Sequence, residues 1–231
     1  MERSYNQYCA TARTLDIVGE RWTLLLIREL LTGPKRFSDL QHNLRGLGTG
    51  LLSARMKTLE RQGLVRRVTL PPPARTPAYA LTQAGEELGP VVLDLARWGL
   101  KWAMEEPREE EAFHPGWGVL GLRACFQAEA AAGLRAIYEF RVGGETFHAR
   151  VHDGALETVH GPAQYPDVII TTDDQTFRDI ATGKVALADA LEHHAASATG
   201  DRAALRALRT LFRLPSPQVR GGEAVPSPTT R

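Results

Sequence analysis

Between residues 15 and 70 the apolar positions recur three times at helical spacing and then switch to strand spacing. The segments are LDIVGERWTLLLIRELL, KRFSDLQHNL and GTGLLSARMKTLERQGLVRRVTL. A short helix is expected from Tyr5 to Ile17 and a second from Trp22 to Leu31, stopped by Gly33-Pro34. Ser38 is the expected N-cap of a brief helix through Leu44, Gly46 supplies a turn, and Thr49 caps a helix running to about Gln62 and closing on Gly63. In that last helix Leu52, Met56 and Leu59 fall on one face. Thr49, Gly50, Ser53, Ala54 and Lys57 are assigned to the other, which is small or cationic. At 1.5 Å per residue it is about 20 Å long, enough to cross one major groove.

Leu64 to Leu70 and Ala78 to Leu81 read as strands around the proline-loaded tip PPPARTP, the pattern of a wing carrying Arg75. Thr82 is the expected cap of a long helix from about Glu86 to Met104, whose Leu88, Val92, Leu95, Trp98 and Trp102 suggest a dimer interface. EEPREEE, residues 105 to 111, reads as a charged hinge. Beyond it the period becomes two: Ala136 to Val142, Glu145 to His152 and Leu156 to His160 alternate around Gly143-Gly144 and Asp153-Gly154, the mark of an antiparallel meander. Val168 to Thr171 adds a strand, and Asp174 to Ala181, Val185 to His194 and Arg202 to Phe212 read as helices. The residues from Pro215 onward are expected to be a disordered tail.

The chain has 231 residues and a formal net charge of +1, which conceals an uneven distribution. From Arg21 to Arg75 eleven Lys or Arg face three acids, a balance of +8; residues 108 to 231 carry thirteen basic and sixteen acidic side chains, a balance of −3. A basic block of this kind suits a phosphate-neutralising surface. No apolar run reaches the roughly 20 residues of a membrane helix, and the N-terminal MERSYNQYC lacks a signal-peptide core, so a cytoplasmic protein without a membrane partner is expected.

Other candidate chemistry is thin. GLGTG (46 to 50) follows a helix rather than a strand and has Leu51 at the sixth position, so it is no dinucleotide fingerprint. His148 and His152 share a strand face, with His160 on the next strand; exposed strand histidines are the simpler reading, and no metal site is expected. Asp173-Asp174 reads as a helix N-cap, and Cys125, in LRACF, as packing. Cys9 is either a buried helix residue or a thiol sensor. No HExxH, GxSxG, CxxC or Walker-type loop occurs, so neither enzymatic chemistry nor a cofactor is expected.

LDIVGERWTLLLIRELLTGPKRFSDL, LLSARMKTLERQGLVRR and YALTQAG together resemble the HxlR family of bacterial winged-helix regulators over about residues 5 to 104. The resemblance implies a homodimeric transcription factor whose helix after Thr49 enters the major groove, and it puts Cys9 where several relatives keep a sensor thiol. FRVGGETFHARVHDGALETV, DVIITTDDQTFRDIATGK and ATGDRAALRALRTLF resemble a sterol-carrier-protein-type lipid-binding domain over about residues 115 to 214.

The expected fold is therefore α+β. A winged helix-turn-helix domain (1 to 104) and a hinge (105 to 114) lead to a sterol-carrier-like domain with an antiparallel sheet (115 to 214) and a tail (215 to 231). The expected function is a regulator, a repressor, of a pseudo-palindromic double-stranded operator with half-sites about 34 Å apart. Arg36, Thr49, Gly50, Ser53, Ala54, Arg55, Lys57, Arg66, Arg67 and Arg75 are the candidate DNA contacts. Phe140, Phe147, Val151, Phe177, Ile180, Leu187, Leu191, Leu208 and Phe212 are candidate walls for an apolar small-molecule ligand, or else solid core. The alternatives are a carrier that sequesters a hydrophobic molecule, with DNA binding secondary, or a redox sensor acting through Cys9.

Overall fold

Leu26, Ile27, Leu40, Leu52, Met56 and Leu59 are each at most 1% exposed and form the centre of the N-terminal half. The structure is a computed structural model that describes residues 4–104 and 111–214. Residues 105–110 of the expected hinge and the expected tail from 215 onward lie outside the described residues. The order opens with α1 (Ala10–Val18), α2 (Thr23–Leu31), α3 (Phe37–Asn43) and α4 (Thr49–Arg61). Antiparallel β1 (Val65–Thr69) and β2 (Pro77–Leu81) follow, then α5 (Gln83–Glu86) and α6 (Gly89–Trp102). Lys35 N–H donates to the Tyr79 carbonyl at 3.0 Å and receives Tyr79 N–H at 2.8 Å, which ties the loop before α3 to the two-stranded hairpin. Three helices and a hairpin around one core make a winged helix-turn-helix.

Several boundaries differ from expectation for local reasons. The expected helix from Tyr5 is instead α1, which starts at Ala10, because Asp16 draws the chain before it back: its carboxylate accepts from Ser4 Oγ at 2.9 Å and Tyr5 N–H at 2.8 Å. Ser38 and Thr49 are not N-caps. Arg36 and Gly48 hold those positions with extended backbone, and Asp39 accepts the Arg36 N–H at 2.9 Å. The long helix after Thr82 is two. Thr82 Oγ accepts Gly85 N–H at 3.2 Å to cap the four-residue α5, and Pro90, lacking an N–H, begins α6 anew. Gly85 is required there, since a Cβ would lie 2.2 Å from the Leu64 carbonyl oxygen.

The C-terminal half begins with a 3-10 turn (Pro115–Trp117) and α7 (Gly118–Cys125), an element absent from the sequence reading. Strands β3 (Arg135–Val142), β4 (Glu145–His152), β5 (Ala155–His160) and β6 (Val168–Thr172) follow. After them come α8 (Asp174–Ala181), α9 (Leu187–Glu192), β7 (Ala196–Gly200) and α10 (Arg202–Leu211). The sheet order is β5-β4-β3-β6-β7, with β3–β6 parallel and the other pairings antiparallel. The meander is thus extended into a mixed, mostly antiparallel sheet. The helix expected from Val185 to His194 is shorter, because His193 caps it and His194 turns left-handed at φ 59°. Asp173 does cap α8, accepting Thr176 N–H at 2.7 Å, which lowers its carboxyl pKa.

The sheet's core side carries Ala136, Tyr138, Phe140, Val142, Phe147, Ala149 and Val151 against Val119, Phe177, Ala204, Leu208 and Leu211 of the helices. Phe140 stacks on Phe147 at 5.3 Å and Phe177 meets Phe147 edge-on at 5.7 Å. A Cβ on Gly118 would come within 2.7 Å of both Phe147 and Phe177, so only glycine lets α7 start on these rings. Phe140, Phe147, Val151, Phe177 and Leu208 are therefore core residues packed on one another; Ile180, Leu187, Leu191 and Phe212 are half-buried. On the other side of the sheet His148 is 3% exposed, not an exposed strand histidine. Its Nδ1 lies 2.8 Å from the Gly161 carbonyl, and the neighbouring buried Glu139 accepts Ala163 N–H at 2.8 Å. The segment after β5 covers this polar pair.

The halves are joined at α2, α6 and α7. Leu31, Leu93, Leu120 and Ala124 form a small apolar cluster, and Arg97 Nε donates to the Ala124 carbonyl at 2.7 Å. Beside it, Glu29 of α2 is 1% exposed and accepts three hydrogen bonds: from Arg28 at 2.6 Å, Asn43 at 2.9 Å and the Trp117 indole at 2.8 Å. The Arg28 guanidinium also sits 4.0 Å from the Trp117 ring centroid. Removing the carboxylate strands a partly buried cation, so Glu29→Ala should lower unfolding free energy by about 3–5 kcal/mol. Trp117→Phe, which loses the N–H donor and part of the indole but keeps an aromatic ring, should cost less, about 1.5–3 kcal/mol. Urea midpoints of the two variants against the parent chain check both values.

Candidate nucleic-acid interface

α4 buries Leu52, Met56 and Leu59 and exposes Gly50, Ala54, Lys57 and Arg61 on the opposite side. With 3.6 residues per turn, Ala54, Lys57 and Arg61 at i, i+3 and i+7 form one outward stripe, with Gly50 a turn before it. Two small residues followed by two cations allow close approach to a groove and a charged grip at its edge. Arg61 is absent from the sequence-derived set, although its spacing from Lys57 was there to be read. Ser53 is half-buried at the flank of this stripe. Thr49 sits on the side toward α3 rather than on the outward face: its hydroxyl accepts from Gln41 Nε2 at 2.7 Å, which fixes the turn between the two helices.

The remaining expected contacts separate by what already holds them. Arg55 points to the α1–α2 turn, where Nη2 pairs with Glu20 at 2.6 Å; it clamps α4 in place and is not presented with Lys57. Arg67 on β1 pairs with Glu60 through Nε at 2.8 Å and lies 5.8 Å over the Tyr79 ring, bracing the wing against α4. Arg66, one residue earlier, is exposed on the other side of the strand. Arg75 is exposed at the wing tip with φ 38°, a left-handed backbone that projects it from the turn. Arg36 is half-buried where the chain enters α3. The helix face and the wing thus bring together Gly50, Ala54, Lys57, Arg61, Arg66 and Arg75, while Arg55 and Arg67 act through ion pairs within the fold.

Two further candidates are located. Cys9 is fully exposed at the N-cap of α1, where the backbone N–H groups of Ala12 and Thr11 lower its thiol pKa. Cys125 is buried, its thiol pushed up to about 11 by burial, as suits a packing residue. Among the described residues no group of three or more His, Cys, Asp or Glu is arranged to hold a metal ion, and no helix is long and apolar enough to cross a membrane.

The clamp role of Arg55 is separable from DNA contact. Arg55→Ala should lower stability by about 1 kcal/mol while leaving the salt dependence of DNA binding unchanged. Thermal melting and a salt titration of binding check the two halves of that statement.

Comparison with known proteins agrees with the geometry of the N-terminal half. Residues 17–107 match the HxlR-like helix-turn-helix family, and residues 126–219 match the alkyl sulfatase C-terminal family. The HTH-type transcriptional regulator YvaP of Bacillus subtilis (strain 168) is 34% identical over 90 residues, covering 39% of this chain and 83% of YvaP. The regulator Rv3095 of Mycobacterium tuberculosis is 40% identical over 90 residues, again 39% of this chain, but the match spans only 56% of that protein. Among solved structures, reduced YodB of B. subtilis aligns at 30% identity and TM-score 0.36, covering 40% of this chain and 92% of YodB. The redox regulator HypR in its oxidised form aligns at 30% and 0.36, covering 39% and 94%. Cys9 precedes the matched residues. With most of YvaP's length matched, the chain belongs to the HxlR-like helix-turn-helix family of transcriptional regulators.

Proposed function

We propose that this chain is a homodimeric repressor that binds a pseudo-palindromic DNA operator, with residues 1 to 104 reading DNA and residues 115 to 214 acting as a sensor of a hydrophobic small molecule. The observation that carries the DNA reading is the outward face of α4, small at Gly50 and Ala54 and cationic at Lys57 and Arg61, beside a wing that extends Arg66 and Arg75. Lys57 and the wing arginines grip phosphates; Gly50, Ser53 and Ala54 face base edges. Dimerisation is supported by α6, whose Val91, Leu95 and Trp98 recur at i, i+4 and i+7 and stay 47%, 50% and 53% exposed, and by Leu15 and Ile17 of α1. Apolar side chains left in water at helical spacing suit a two-fold helix pairing.

The sensor role rests on the contact of α7 with α6 and of Trp117 with Glu29, because a ligand that shifts α7 also moves the dimer helix and the support of α3. An apolar ligand finds its walls at the half-buried Ile180, Leu187 and Leu191 of α8 and α9 rather than among the packed rings. A second reading, thiol sensing, is favoured by the exposed Cys9 thiol and its lowered pKa, which raises the thiolate fraction near neutrality.

Lys57→Ala should weaken operator binding and reduce the slope of log K against log salt by about one, the signature of one lost phosphate contact. Fluorescence anisotropy over a salt series measures it; a dimer with no sequence preference on genomic fragments at moderate salt would end the regulator reading. For the thiol, hydrogen peroxide should release the parent protein from its operator and leave Cys9→Ser bound. Equal release of both proteins excludes the cysteine.

A further inference from the structure

Trp22 stands at the N-cap of α2 with φ 77° and ψ −18°, a left-handed backbone that a bulky aromatic residue rarely adopts. Strain of this kind persists only where the surroundings hold it, and it gathers at sites that need a fixed geometry. What this residue touches is the turn between α3 and α4. Its indole, half-buried against the N-terminal core, covers Gly46: a Cβ there would lie 3.8 Å from Cη2 and 3.9 Å from Cζ2. Gly46 is itself left-handed at φ 85°, and the turn is pinned by the buried Leu44 and Leu47, with Leu47 N–H donating to the Leu44 carbonyl at 3.0 Å.

The same corner between α1 and α2 reaches α4 a second time. Glu20 pairs with Arg55 at 2.6 Å, while its carbonyl accepts Thr23 N–H at 3.1 Å and closes the corner around Trp22. One contact therefore holds the turn that leads into α4. The other holds the helix itself, about 9 Å along its axis from Thr49. A single contact would let α4 pivot; two contacts from one corner restrain its tilt.

We propose that Trp22 is a positioning residue for sequence readout: held in its left-handed conformation and assisted by the Glu20–Arg55 pair, it sets the tilt of α4, and so the choice between DNA sequences, without touching DNA. This role rests on the DNA reading proposed for α4. Base edges are read only by side chains held within about 0.5 Å and 10–20° of the productive geometry. Phosphate contacts carry no sequence information, and the flexible stem of a residue such as Lys57 absorbs a small change of tilt. A looser α4 therefore keeps its charge and loses its selectivity.

The test is fluorescence anisotropy over a salt series with two duplexes: one that the full-length parent protein selects from a random-sequence library, and one of scrambled sequence. Trp22→Phe shortens the ring that reaches Gly46. It should reduce the preference for the selected duplex about tenfold or more, while binding to the scrambled duplex stays within about twofold and keeps its salt slope. Lys57→Ala should instead weaken both duplexes and lower the slope. Glu20→Gln removes the charge that anchors Arg55 and should shift the preference in the same direction as Trp22→Phe; it decides the matter where Trp22→Phe does not melt cooperatively. Cooperatively melting variants that keep the parent's preference overturn the proposal and leave the DNA reading of α4 standing. An equal loss on both duplexes also overturns it, since Trp22 then acts on phosphate affinity and not on readout. A parent protein that selects no sequence ends the DNA reading, and the positioning role with it.

Discussion

A buried carboxylate needs partners, and Glu29 recruits its three from different parts of the chain. Arg28 comes from the same helix, Asn43 from α3, and Trp117 from the start of the C-terminal half, 88 residues away in sequence. An ion of this kind withdrawn from water is tolerable only when it is paired and well hydrogen-bonded, as Glu29 is by one cation and two neutral donors. The match therefore fixes geometry: α3 cannot rotate away from α2 without releasing Asn43, and the C-terminal half cannot slide without releasing the indole. The stacked Arg28 guanidinium adds a planar contact that resists tilting of Trp117. Specificity of arrangement, rather than gross stabilisation, is what such a network supplies.

The same logic reapportions the basic block. Eleven cations between Arg21 and Arg75 suggest a uniformly charged surface, yet Arg28, Arg55 and Arg67 are each engaged by an acid of the fold. Those acids are Glu29, Glu20 and Glu60. The charge that remains to meet phosphate is smaller, and Lys57 on α4 with Arg66 and Arg75 on the wing are its exposed members on the two reading elements. Affinity and its salt dependence scale with that smaller number. Arg66 and Arg67 illustrate the division: they are adjacent on one strand, point to opposite sides, and have different roles.

What could be read from the sequence was local. The α4 face followed from helical spacing, the hairpins at Gly143-Gly144 and Asp153-Gly154 from turn chemistry, and α8 from its Asp173 cap, because each signal lies within a few residues. The wing followed from two short strands around a proline tip. Non-local choices escaped. Ala196–Gly200 pairs as β7 because β6 offers it an open edge, not because ASATG looks like a strand. α7 is rich in glycine and carries no polar stripe, since sheet and α6 cover it from two sides. His148 and Glu139 are buried by the segment after β5, which no period announces. The candidate DNA-facing set was legible as a face but not as a division of labour, because Arg55 and Lys57 look alike until Glu20 is placed beside one of them.

Coupling between the halves has a physical minimum. A tenfold change in operator affinity requires only about 1.4 kcal/mol of difference between two arrangements. The contacts across the junction are of that order individually: one charge-assisted indole hydrogen bond, one Arg97-to-carbonyl bond and a small apolar cluster around Leu31, Leu93, Leu120 and Ala124. A junction made of a few such contacts can be shifted by an occupant of modest affinity, whereas a broad apolar interface could not. In the proposed dimer its position would make the shift consequential, because the exposed apolar stripe of α6 would set the spacing of two reading helices, while α2 and α3 set the tilt of each. On that proposal a change at Trp117 or Arg97 would act on the two quantities that decide whether both copies of α4 can lie in successive grooves at once.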